Sequence, residues 1–158
     1  MWIYQLNKFL DIADENVFGD KHSLFRWKKT VSNEKIQNSL IKNQLIEEKS
    51  DLIDLKIINR GISGRVTRFE IKSLDFEQPI ILVKDDIRRI LSFLPSNLFT
   101  INKLNDNLWL FKGGGFGHGV GLSQSGAIEM AELGFTYEQI LNHYYQGTKI
   151  IKIEISSQ

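Results

Sequence analysis

Apolar residues recur along this chain with two periods, and the changes between them mark its elements. Trp2, Ile3, Leu6, Phe9 and Leu10 fall on one face of a short amphipathic helix, and residues 19 to 27 read as loop running into a strand. Ile36, Leu40, Ile41 and Leu45 then recur at helical spacing behind Ser32 or Asn33, either of which suits an N-cap. From Asp51 the period falls to two. Ile53, Leu55 and Ile57 alternate with polar residues, Asn59 to Arg65 supplies turn chemistry, and Thr67, Phe69 and Ile71 alternate again as the partner strand. Residues 79 to 83 make a short apolar run of strand type. Asp85 or Asp86 is placed to cap a short helix holding Ile87, Ile90 and Leu91, which ends before Pro95. Leu98 to Leu104 and Asn107 to Lys112 read as a second hairpin.

The pattern then breaks. Six glycines fall between positions 113 and 121, and nine of the twelve in the chain lie between 113 and 148. Such backbone lets another surface come close, which makes it a fit floor for a ligand cleft. Beyond it, Ala127, Met130 and Ala131 share a helix face, and Gly134 stands where a left-handed C-cap belongs, with Phe135 able to pack back. Thr136 and Gln139 match a capping box ahead of a Tyr137, Ile140, Leu141, Tyr144 stripe. Ile151, Ile153 and Ile155 alternate within a final strand from Thr148 to Ile155. The expected class is α+β: β-hairpins with a short central helix, then a C-terminal helix pair following a glycine-rich loop.

Composition narrows the field. The 158 residues suffice for one domain with a real core, and a net charge of +1 gives no bulk attraction to nucleic acid or an anionic membrane. There is no cysteine, which excludes disulfides and thiolate metal sites. The N-terminus lacks the basic start, apolar core and small-residue cleavage site of a signal peptide, and no segment is long and apolar enough to span a bilayer. The glycine run fits none of the common glycine motifs. No lysine follows it as in a phosphate-binding loop, no frame supplies the dinucleotide fingerprint, and Gly121-Leu-Ser-Gln-Ser125 ends in serine where a nucleophile elbow needs glycine. His22, His118 and His143 are far apart with no metal-binding spacing, so neither a metal nor a cofactor is expected. What remains is His118 within close-approach backbone just before a helix start, where unpaired N–H groups join Ser123 and Gln124. A surface of this kind suits a polar, multi-hydroxyl ligand such as a glycan; a tightly packed structural turn is the competing reading.

Gly117-His-Gly-Val-Gly-Leu-Ser-Gln124, Gly126-Ala127, Met130-Ala131, Gly134, Tyr137 to Leu141 and His143-Tyr-Tyr-Gln-Gly-Thr148 together resemble the signature of the stage II sporulation protein D family, which includes the amidase enhancers. Trp27, Ser63-Gly-Arg-Val66, Ile87-Arg88 and Leu94-Pro-Ser-Asn-Leu-Phe-Thr-Ile101 follow that family's order and spacing. The resemblance covers about residues 27 to 155. It implies an extracytoplasmic or cell-envelope setting and peptidoglycan glycan strands as substrate. It further implies lytic transglycosylase chemistry, in which a glutamic acid protonates the glycosidic oxygen and the 6-hydroxyl closes an anhydro ring. A non-catalytic glycan-binding or amidase-enhancing role is the alternative.

The chain departs from the family pattern where the chemistry lies. The family's catalytic glutamate precedes a helix of the type Ala-Leu-Lys-Ala-Gln-Ala-Val-Ala-Ala-Arg, and nothing in residues 1 to 50 resembles it. Residues 1 to 158 are therefore expected to be a single partial domain, the C-terminal part of a family member, inactive alone. A cell-wall amidase or a separately encoded N-terminal half is its implied protein partner. No residue is assigned as catalytic. The candidate substrate-binding set is Gly117, His118, Gly119, Gly121, Ser123 and Gln124. Glu129 and Glu132 read as solvated, His143 as a solvent-facing helix position, Tyr144 as core, and Arg65 and Arg88 as ligand contacts or loop braces.

Overall fold

A computed structural model describes residues 2–11 and 17–151, the side chains of 2–5, 7 and 53 excepted. The chain divides into two units, one built from Met1–Ala13 and Ser23–Gly119, the other from Asp14–His22 and Val120–Gln158. The architecture is α+β, as the periodicity predicts.

The first unit holds α1 (Trp2–Asp11), β1 (Arg26–Ser32), α2 (Asn33–Lys42), β2 (Leu52–Arg60), β3 (Val66–Ser73), β4 (Ile80–Val83), α3 (Asp85–Ile90), β5 (Phe99–Asn105) and β6 (Leu108–Gly114). Its strands form two antiparallel sheets, β1-β6-β5 and β2-β3-β4. One apolar cluster serves both. Phe69 of β3 packs on Phe99 of β5 at 6.1 Å, and Phe99 meets Phe111 of β6 edge-on at 5.5 Å. Ile36 and Leu40 of α2 and Ile87, Ile90 and Leu91 of the α3 region are fully enclosed around them.

Ser32 is the cap of α2, its Oγ accepting from Lys35 N at 3.3 Å. Asn33 instead ties the helix start to the sheet. Its side chain accepts from the buried Trp109 Nε1 at 2.8 Å and donates to the Asp106 carbonyl at 2.9 Å. Leu45 lies past the end of α2 and is half-exposed, because the helix closes at Asn43. Strict alternation also fails in the first hairpin. Leu52 pairs with Ser73 while Asp54 pairs with Lys72, so the bulge at position 53 turns both Leu52 and Leu55 inward. A second irregularity, with Asn59 opposite Arg68 but Arg60 opposite Val66, leaves Thr67 exposed and buries Val66 in its place. Neither aspartate caps α3. Lys84 holds that position at φ 51°, while Asp85 and Asp86 occupy the first turn and pair with Arg88 and Arg89.

The second unit contains α4 (Gln124–Glu132) and α5 (Tyr137–Tyr144). Gly134, at φ 87°, ends α4 in a Schellman motif: Phe135 N donates to Met130 O and Gly134 N to Ala131 O, both at 3.0 Å. The Thr136–Gln139 capping box forms as its spacing predicts. Met130 is buried, but Ala131 is exposed, and Tyr137 is 64% exposed at the head of a stripe whose other members are half-buried. Thr148 to Ile151 are not strand; Lys152 to Ile155 lie outside the described residues.

Candidate functional site

The glycine run crosses from the first unit into the second, so each half has its own setting. In the first unit β6 continues through Gly113 and Gly114, two positions that the hydropathy pattern assigns to the loop. Trp27 sits opposite Gly113 in the β1–β6 register, and its indole ring packs against that glycine, where a Cβ would overlap Cζ2 and Cε2. The indole Nε1 donates to Gly115 O at 3.1 Å. Ser96, fully buried, donates its hydroxyl to Gly114 O at 2.7 Å and accepts from Leu98 N at 3.2 Å. Gly117 N then donates to Pro95 O at 2.9 Å, and Ser96 and Gly117 form a parallel bridge.

Arg65 closes this half. The turn that carries it is fixed by Gly61 N to Arg65 O at 2.9 Å and by Val66 N to Asn97 O at 2.8 Å. Arg60 braces the same turn, donating to Gly64 O and to Phe99 O at 2.7 Å each. The Arg65 guanidinium packs directly on Gly119, where a Cβ would overlap its Cζ, Nε and Nη2 atoms; Gly119 also has φ 71°. His118 is exposed between Gly117 and Gly119. Phe116, 70% exposed, lies 5.9 Å below the Arg88 guanidinium, at the outer limit of a cation–π contact. Arg88 chiefly braces the backbone, through Nε to Leu94 O at 3.0 Å, with Asp85 a distant 3.8 Å partner.

In the second unit Ser123 is an N-cap, its Oγ accepting from Gly126 N at 3.3 Å and lying 3.4 Å from Ser125 Oγ. Gln124 is exposed as the first residue of α4. Tyr145 Oη accepts from Leu122 N at 3.2 Å and stands against Gly121. The Tyr144 hydroxyl is pressed on Gly126, and burial pushes its pKa up despite a hydrogen bond with Ser123. His143 is exposed, yet it packs edge-on against Phe18 at 5.5 Å and Tyr144 at 4.8 Å.

Glu129 departs from the solvated reading. Its carboxylate accepts from Gly19 N at 2.5 Å and from Lys21 Nζ at 2.9 Å, tying a segment 110 residues away onto α4. The Gly19 amide, then the Lys21 ammonium, hold its pKa below the ordinary 4.5. A general acid needs the opposite shift. Among the described residues no group of three or more His, Asp or Glu side chains is placed to hold a metal ion. The structure thus gathers Gly117, His118 and Gly119 with Arg65, Ser96 and Trp27. It gathers Gly121 and Ser123 separately, with Tyr145 and Tyr144. Sequence reasoning missed Ser96 and Gly19 as supports, since neither residue type nor local spacing flags a partner so far along the chain.

Residues 4–121 match the family described as a domain of unknown function, DUF8618, and the chain belongs to it. That match stops two residues beyond the end of the first unit. An uncharacterized protein of Brachyspira hyodysenteriae is 32% identical over 127 residues, covering 79% of this chain and 32% of the relative. Stage II sporulation protein D of Bacillus subtilis is 61% identical over 36 residues, which are 23% of this chain and 10% of that protein. The amidase enhancer of Bacillus subtilis is 42% identical over 55 residues, 35% of this chain and 8% of that protein. The chain is therefore a distant relative of both, and it spans about a third or less of the length of the relatives it matches.

Proposed function

We propose that this chain binds peptidoglycan glycan strands at the bacterial cell envelope and takes part in their processing without supplying the catalytic acid. The observation that carries the reading is the local identity with stage II sporulation protein D, 61% over 36 residues. The first unit's geometry supports it. Trp27, Arg65 and Ser96, scattered over 70 residues of sequence, all serve one glycine segment that presents His118 to solvent. Such a segment holds an imidazole at the surface, where a ligand rich in hydroxyls can meet it. The proposed binding residues are Gly117, His118 and Gly119 in the first unit and, taken by themselves, Gly121, Ser123 and Gln124 in the second.

Glycosidic cleavage needs a carboxyl group that is protonated when it meets the leaving oxygen. Glu129 is committed to Gly19 and Lys21 and is held ionised, so it does not fill that role. In this reading the acid belongs to another polypeptide segment, and this chain positions the strand. The 42% identity over 55 residues with an amidase enhancer favours a second form of the same reading, in which the bound strand is presented to a cell-wall amidase.

The test is co-sedimentation of the folded chain with glycan strands stripped of stem peptides, followed by mass spectrometry of the strands. Retention with intact strands is expected, and His118→Ala should weaken it. Absence of retention would sink the reading. Anhydro-muramyl products would show that an acid lies within the chain. Addition of an amidase separates the two forms, since only the second predicts faster release of stem peptides from intact peptidoglycan.

A further inference from the structure

The Arg65 side chain is half-buried, and burial lowers its pKa. Its Nε is enclosed without a hydrogen-bond partner. No carboxylate among the described residues pairs with it, whereas Arg60, on the same turn, spends its donors on Gly64 O and Phe99 O. Of the guanidinium nitrogens only Nε is both enclosed and unpartnered, and Nη2 lies against Gly119. A partly desolvated cation without a counter-charge is costly, and the fold keeps it in one place by leaving no room for a Cβ at Gly119. Arg60 already braces the turn, so bracing does not account for a second guanidinium.

We infer that Arg65, seated on Gly119 beside the exposed His118, is an anion-binding residue that receives a carboxylate of the bound glycan. The inference rests on the glycan reading above and names the chemical feature recognised. A strand stripped of stem peptides carries a lactyl carboxylate on every second sugar, and a chitin oligosaccharide has the same linkage with none. The planar guanidinium fork matches a carboxylate, so the site distinguishes the two. His118, one residue away, meets the neighbouring hydroxyls.

The experiment compares binding of three probes by the whole chain: stripped strands, the same strands with their carboxyl groups reduced to alcohols, and chitin oligosaccharides of equal length. The native strands should bind about 10- to 100-fold more tightly than the other two, the range for a charge-assisted pair, and the difference should shrink in high salt. Arg65→Gln should remove the difference between native and reduced strands, and Arg65→Lys should restore only part of it. Gly119→Ala should also remove the difference although the arginine is present, because its Cβ displaces the guanidinium. The reduced-strand comparison needs no variant, so a misfolded substitution does not blunt the test. Equal binding of native and reduced strands by the unaltered chain overturns the inference alone. Binding of none of the three probes overturns the glycan reading together with it.

Discussion

Gly113 is the position where the packing makes its sharpest demand. It lies in the central strand of its sheet, opposite Trp27, and its φ is not in the left-handed region, so any cost of substitution is steric. A Cβ there would lie 2.5 Å from Trp27 Cε2 and 2.6 Å from Leu98 O, with Cζ2 closer still. The strand is held on both sides and cannot retreat, so the indole and the Leu98 carbonyl must both give way. Overpacking of this kind costs about 1–3 kcal/mol. The displaced indole also gives up its bond to Gly115 O, which adds roughly 1 kcal/mol. Gly113→Ala should therefore destabilise the fold by about 2–4 kcal/mol, a large part of the roughly 5–15 kcal/mol typical of a folded domain. In urea this is a midpoint shift of roughly 1–2 M at ordinary slopes, readable by tryptophan fluorescence. Gly61→Ala is the control: its Cβ would meet only Thr67 Cγ2, at 3.6 Å, and should shift nothing measurable. Trp27→Leu should make Gly113→Ala less costly, a coupling above about 1 kcal/mol, with the overlap on Leu98 O remaining. A shift below about 0.3 M, or additive costs in the double variant, would refute the packing argument.

Further outcomes follow from the second unit. Gly126→Ala should destabilise that unit because its Cβ overlaps the Tyr144 hydroxyl; Tyr144→Phe in the same chain should recover part of the loss, measured by hydrogen exchange of α4. Glu129 has a folded pKa below its unfolded 4.5, so its contribution is fully present above about pH 4.5 and fades as pH falls through the depressed value. Glu129→Gln should flatten that acid limb, and an NMR titration placing the Glu129 midpoint at or above 4.5 would contradict the hydrogen bonding described. In the first unit Asn33→Ala strands the buried Trp109 N–H and should cost about 1–3 kcal/mol in urea melts. Ser123→Ala, by contrast, should cost about 1 kcal/mol as a lost N-cap, seen as faster exchange at the start of α4.

Local signals were legible in the chain; long-range ones were not. The Schellman end at Gly134 and the Thr136–Gln139 box are set by residues three to five apart, and both form as their spacing predicts. The bulges at 53 and 67 escaped because alternation assumes an unbroken ladder, and nothing local announces the extra residue. Lys84 replaces the aspartates as the α3 cap because its left-handed backbone turns the chain into the helix one residue earlier. The candidate site shows the same division. His118 and its glycines were visible as a motif, while their supports at Trp27, Arg65 and Ser96 are joined to them only through the fold.

The glycine run is for this reason several features with different causes. Gly113 is small because an indole lies on it, Gly119 because a guanidinium does, and Gly121 because the Tyr145 hydroxyl stands 2.9 Å from where its Cβ would be. Substitution at Gly113 should thus behave as a stability lesion that leaves ligand preference alone in whatever protein remains folded. At Gly119 the order reverses: the strand preference fails through Arg65 before the fold does. Measuring urea midpoint and carboxylate preference side by side for these two positions separates packing from recognition within one stretch of sequence. A parallel loss of both properties at both positions would mean that the run acts only as a structural turn.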